Sequence, residues 1–138
     1  MIIDVRCRYT GGESASYYRK QLKKSGRLPL IKSLEEGTEE SFFEEIEQAG
    51  VTTAVSASGY NPGAKLGKYQ FADRTTRNDD LADIQKRNPR KFIACGGIDV
   101  SNSFHHSIDE IQRCFHDLGI KVFGIEPGRA PGCNPDDP

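Results

Sequence analysis

With 138 residues, the chain is long enough for one core and too short to promise two domains. Its 19 basic and 20 acidic residues leave a formal net charge of −1 and read as interspersed, which argues against a broad footprint for nucleic acid or anionic membrane. The longest apolar runs fall well short of a membrane span, and the N-terminus lacks the basic and apolar regions of a secretory signal, so a cytoplasmic location is expected.

Residues 1–8 read as a first strand, followed by a long polar segment over 9–37 with a short helix around 15–24. Thr38 is placed to cap a helix whose first turn carries Glu39 and Glu40. Phe42, Phe43, Ile46 and Ala49 recur along it at helical spacing, and Gly50 supplies its stop. A β-rich run over 51–57 predicts a second strand, and the glycines and proline of 58–76 predict another long loop. Asn78 is the expected cap of a helix through Leu81, Ala82 and Ile84 that Pro89 ends. Residues 91–98 form the third strand. Ser101 or Asn102 should cap a third long helix carrying Phe104, Ile108, Ile111, Phe115 and Leu118 along one face. Gly119 closes that helix, and 120–125 is the fourth strand.

Apolar strands alternating with amphipathic helices signal a parallel sheet covered by helices. Four such units are about half of a (β/α)8 barrel, which takes about 250 residues. The expectation is therefore the N-terminal half of a TIM barrel, forming a single domain over 1–138. Its remainder would be missing or supplied by another chain; the rival is an open sheet. An open edge and apolar face favour association, as a homo-oligomer or with a complementary C-terminal half.

The four cysteines are widely spaced and form no C-x-x-C pair, so Cys7, Cys95 and Cys114 read as reduced packing thiols, with Cys133 left open in a Gly/Pro loop. His105, His106 and His116 lack the i, i+4 spacing of a helical metal pair and read as surface residues. No nucleophile elbow, P-loop or dinucleotide fingerprint occurs, and Gly96-Gly97 alone is too weak to signal phosphate.

Four segments, in order, resemble the amidohydrolase-related ("amidohydrolase 2") family of metal-dependent TIM-barrel hydrolases and decarboxylases. Ile2-Ile3-Asp4-x-Arg6-x-Arg8 resembles its first strand, I-I-D-x-H-x-H, and Ala49-Gly50-Val51 through Val55 its A-G-V-x-x-x-V passage. Asn78-Asp79-Asp80-Leu81-Ala82, then Pro89-Arg90-Lys91-Phe92, resembles its approach to the third strand; Leu118-Gly119 through Pro127 resembles its fourth. The resemblance implies a barrel hydrolase acting on an ester, amide or lactone, with zinc or manganese as the usual metal. It departs from the family at the two metal-binding histidines, which would fall at Arg6 and Arg8.

Arginine carries only donors and stays charged, so it cannot ligate a metal. At roughly 4 Å and an effective dielectric near 20, each guanidinium would repel a divalent ion by about 8 kcal/mol. Strand alternation puts Asp4, Arg6 and Arg8 on one face, where two guanidiniums suit a carboxylate, phosphate or other small anionic substrate. The alternative is a structural ion pair with Asp4 or Glu126. Glu126 ends the fourth strand, at the barrel edge that supplies catalytic groups, and is the candidate general base or metal ligand. Gly124 stands where the family's common pattern has Lys, which counts against a two-metal site. Asp99 could face the same mouth or, more in keeping with its position, cap the next helix; Ser56 and Ser58 could line a pocket.

Overall fold

The computed structural model describes residues 1–101 and 103–126. Asn102 as a helix cap, Pro127 and Gly128 beyond the fourth strand, and Cys133 lie outside the described residues.

Four strands, β1 (Ile3–Cys7), β2 (Thr53–Ser56), β5 (Phe92–Gly97) and β6 (Val122–Gly124), form one parallel sheet in the order β1-β2-β5-β6. The helices α3 (Glu39–Gln48), α4 (Asn78–Arg87) and α5 (Phe104–His116) make the three crossovers. Strands pairing in chain order, each joined to the next through a helix, curl as half of a (β/α)8 barrel.

The sheet buries one face. Ala54 and Ser56 on β2 and Phe92 and Ala94 on β5 point toward the helices and are buried. Val55, Ala57, Ile93 and Cys95 alternate to the other side and are half-buried. Between sheet and helices, Phe92 meets Phe42, Phe43 and Tyr9 edge-on, with ring centroids 6.1 to 6.4 Å apart, and Leu81, Ile84, Cys114 and Ile120 fill the remainder. The outer strands join this core through Cys7 on β1 and Phe123 on β6, whereas on the opposite face Val5 is 75% exposed and Val122 is 40% exposed.

Local chemistry sets the helix starts. Thr38 Oγ1 accepts from Ser41 N at 3.2 Å and opens α3, and Gly50, at φ 77°, ends the turn beyond it. Ser103 caps α5 by accepting from His106 N at 3.1 Å, displacing the expected cap at Ser101. On α5, Ser107 and Cys114 are buried, whereas Phe104 and Phe115 are exposed. The buried stripe is therefore rotated away from the one its phenylalanines suggest. Arg77, not Asn78, is the residue before α4; Asn78 is its first helical residue, and its side chain serves another purpose.

The loops hold more structure than their composition indicates. The first contains α1 (Ser16–Lys24) and also α2 (Lys32–Glu36); the second contains an antiparallel hairpin of β3 (Ala64–Leu66) and β4 (Tyr69–Phe71). The alternation expected along β1 breaks. Asp4 is registered against Ala54 but Cys7 against Ser56, so one extra residue is accommodated between them, and Arg6 N donates to Asp4 Oδ1 at 2.9 Å. Asp4 thus keeps company with Cys7 rather than with Arg6 and Arg8. The charges are not interspersed either: six basic residues and no acidic one fall between Glu13 and Glu35, and the next seven charged residues are all glutamates. Among the described residues, no helix is long and apolar enough to cross a membrane.

Candidate functional site

The C-terminal ends of the parallel strands form one rim. At the end of β1, Arg8 is half-buried and Nη1 donates to the Ala57 carbonyl at 3.1 Å. Arg6 is exposed and forms no ion pair among the described residues. Ser58 is buried on the helix side, where its Oγ accepts from Tyr9 N at 2.9 Å, so it ties the β1 and β2 loops together.

The chain leaving β2 crosses directly over the end of β5. A Cβ on Gly97 would lie 1.5 Å from Tyr60 N, so only glycine allows the crossing. That close approach explains Gly97 without any phosphate. It brings Tyr60 to the cleft that Asp99 also lines. Burial, and then the nearby Asp99 carboxylate, push the Tyr60 phenol up from its ordinary range. Burial opposes ionisation of Asp99, yet the hydrogen bonds from Ser101, with Tyr60 and His106 nearby, outweigh it and leave the carboxyl low. Asp99 makes an Asx turn, accepting from Ser101 N at 3.0 Å and Ser101 Oγ at 2.5 Å; its carbonyl receives Ser107 Oγ. It supports the entry to α5 without being its cap.

Two clefts meet at Tyr60. The larger, of about 320 Å³, lies between the loop before α4 and the start of α5, with Asp99 and His106 on its rim. Asn78, Glu110, Arg113 and Asp79 line it as one satisfied network. Arg113 takes Glu110 at 2.8 Å and Asp79 at 3.0 Å, while Asn78 Nδ2 donates to Glu110 Oε1 at 2.7 Å. The Arg113 guanidinium is the main reason that the Glu110 carboxyl falls to about 2, against the opposing effect of burial. The smaller cleft, of about 70 Å³, is lined by Glu126 together with Ala57, Gly59, Tyr60 and Gly97. Glu126 is half-buried there, on the sheet side shared with Cys95 and Gly124.

The structure therefore brings Glu126, Tyr60 and Asp99 along one rim, while Arg6 and Arg8, at the end of β1, line neither of the two clefts. Sequence reasoning missed Tyr60 and Asn78. Tyr60 stands in Gly59-Tyr60-Asn61-Pro62 immediately after a strand, the position of a rim loop in a barrel, and that was the available signal. The three histidines are exposed, as expected. Cys7, Cys95 and Cys114 are free thiols. Burial first, with carboxylates nearby, pushes Cys7 to about 11 and Cys114 to about 12.

The described residues do not fit a catalytic metal. No group of three or more His, Cys, Asp and Glu side chains that could hold one occurs among them, and the Arg6 and Arg8 guanidiniums carry donors only.

No family model matches the chain, and no curated protein matches it. Among solved structures, an uncharacterized TIM-barrel protein from Bordetella bronchiseptica matches with a TM-score of 0.67 and 25% sequence identity. The likeness covers 96% of this chain and 46% of that one, so the chain is similar to a TIM-barrel protein of which it spans about half the length.

Proposed function

We propose that the chain forms the N-terminal half of an amidohydrolase-type enzyme with an altered metal site, hydrolysing an ester, amide or lactone of a carboxylate-bearing small molecule. The observation that carries this reading is the placing of Glu126 beside Tyr60 in one cleft at the C-terminal ends of β2, β5 and β6, the edge from which barrel enzymes draw their catalytic groups. Arg8, with Arg6 beyond it, would hold the substrate carboxylate through forked hydrogen bonds. Glu126 would take the proton of the attacking water. The adjoining cleft, with Tyr60 and Asp99, would receive the polar remainder of the substrate. The remaining groups would come from a complementary C-terminal half or a second copy of the chain.

The test is turnover of carboxylate-bearing aryl esters, anilides and lactones by the protein, alone and with a complementary half added in trans. Glu126→Gln should abolish turnover with KM little changed, and Arg8→Gln should raise KM. Hydrolysis undiminished in Glu126→Gln would remove Glu126 from the reaction. Release of carbon dioxide from the same panel would point to the family's decarboxylases instead.

A second reading is a barrel that binds without catalysing. Arginine at both first-strand histidine positions favours it, Arg8 being already engaged by the Ala57 carbonyl. Carboxylate binding with no turnover of any panel member would decide for it.

A further inference from the structure

The near-neutral total charge conceals one uncompensated surface. The helix α1 buries none of its residues. It is held from one side only: Arg19 Nε donates to the Leu34 carbonyl at 2.7 Å, and Arg74 donates to Tyr18 Oη at 2.6 Å while lying 5.6 Å over its ring. Arg19 also lies against Gly37, where a Cβ would fall 2.5 Å from Nη2. Lys20, Lys23 and Lys24, spaced i, i+3 and i+4, share the helix face opposite Tyr18 and Leu22. Arg27 follows just beyond the helix. All four cations are exposed, and none forms an ion pair among the described residues.

The acidic block is in the opposite condition. On α3, Glu39 is paired with Arg87, Glu44 with Lys32 and Glu47 with Lys91, and Glu45 receives the Ser33 hydroxyl. Acidic charge is largely spent inside the fold, whereas the basic charge of α1 is not. Like charges at i, i+3 and i+4 on one helix face repel one another modestly, and an acidic partner would relieve that repulsion.

We infer that the exposed face of α1 docks a short acidic segment of a partner polypeptide. Its extent sets the class of partner. The nine residues of α1 span about 14 Å, a length that about four extended residues cover. Glu13 bounds the basic run on one side; Glu35 and Glu36, on the helix α2 packed against α1, bound it on the other. A long polyanion would run onto those carboxylates, and a short acidic stretch would not. Leu30, 78% exposed beside the run, offers one apolar contact, too little to enter a lipid surface.

The test uses fluorescence anisotropy of a labelled tetraglutamate peptide with the intact chain, at low and at raised salt. Saturable binding that weakens with salt is expected, and changing Lys20, Lys23, Lys24 and Arg27 together to Gln should weaken it at least about tenfold. A control variant with Lys86, Lys121 and Arg90 changed to Gln should bind like the parent. These side chains are all on the surface, and circular dichroism checks that both variants fold. Equal binding by parent and α1 variant would overturn the proposal. So would α1-dependent binding that favours single-stranded DNA or phosphatidylserine vesicles over the peptide, since those outcomes assign the face to nucleic acid or membrane.

Discussion

Asn78 closes both backbone groups of Gly97: its Oδ1 accepts from Gly97 N at 2.8 Å, and its Nδ2 donates to Gly97 O at 3.1 Å. A side chain on the first turn of α4 thus stands in for a neighbouring strand at the end of β5. The same amide nitrogen reaches Glu110 on α5, so one residue locks two helices to the sheet beside the larger cleft.

Replacing that residue by alanine strands buried donors and acceptors. Asn78→Ala should lose about 2–4 kcal/mol of stability, because buried unsatisfied groups cost their desolvation. Asn78→Asp should be no better, since it loses both donors and faces the Glu110 carboxylate. Urea unfolding midpoints measure this; a shift within the error of the parent would mean that the lock carries no weight.

A methyl at the crossing of β2 and β5 has nowhere to go. Gly97→Ala places Cβ against Tyr60 N and Gly59 C, backbone atoms that cannot rotate aside. The expected loss is about 3 kcal/mol or more. The Tyr60 fluorescence environment should change with it, and a parent-like thermal melt would show that the crossing yields more easily than this geometry implies.

Acid should dissolve the Asn78–Glu110–Arg113 network. The Glu110 carboxyl is depressed from 4.5 to about 2 in the folded chain. The stability it contributes is therefore complete above its unfolded value and is lost as pH falls from about 4.5 toward about 2. The stability difference between parent and Glu110→Gln should shrink across that window; a difference that stays constant would exclude this linkage.

Thiol chemistry should distinguish the buried cysteines from the rest. Alkylation at pH 8, followed by peptide mass analysis, should leave Cys7 and Cys114 unmodified in the native protein, because both are buried and raised to about 11 and 12. Both should react at once in denaturant. Rapid native labelling of Cys114 would mean that α5 opens readily.

Element existence was legible because it is local. Thr38 with Glu39 and Glu40, and the spacing of Phe42, Phe43 and Ile46, specify α3 from one helix's own residues. The alternation of such helices with short apolar strands led to the half-barrel by the same route. What failed were inferences that depend on a second element. The exposed Phe104 and Phe115 of α5 look like core until the sheet's position selects the stripe through Ser107 and Cys114. Asn78 reads as a cap until Gly97 is seen beside it.

The candidate site divides in the same way. Glu126 at the end of β6 was placed on the rim from sequence, because strand order and direction follow from the βα pattern. A strict two-residue alternation predicts Arg6 and Arg8 on one face with Asp4. Only the pairing of β1 with β2 showed the extra residue that takes Asp4 to the helix side. By itself, then, the sequence determined the order of strands and helices, the arginines at positions 6 and 8, and the end of the sheet at which Glu126 lies. Tertiary structure alone decided which side chains meet there, because register, the Gly97 crossing and the Asn78–Gly97 hydrogen bonds all arise between segments remote in the chain.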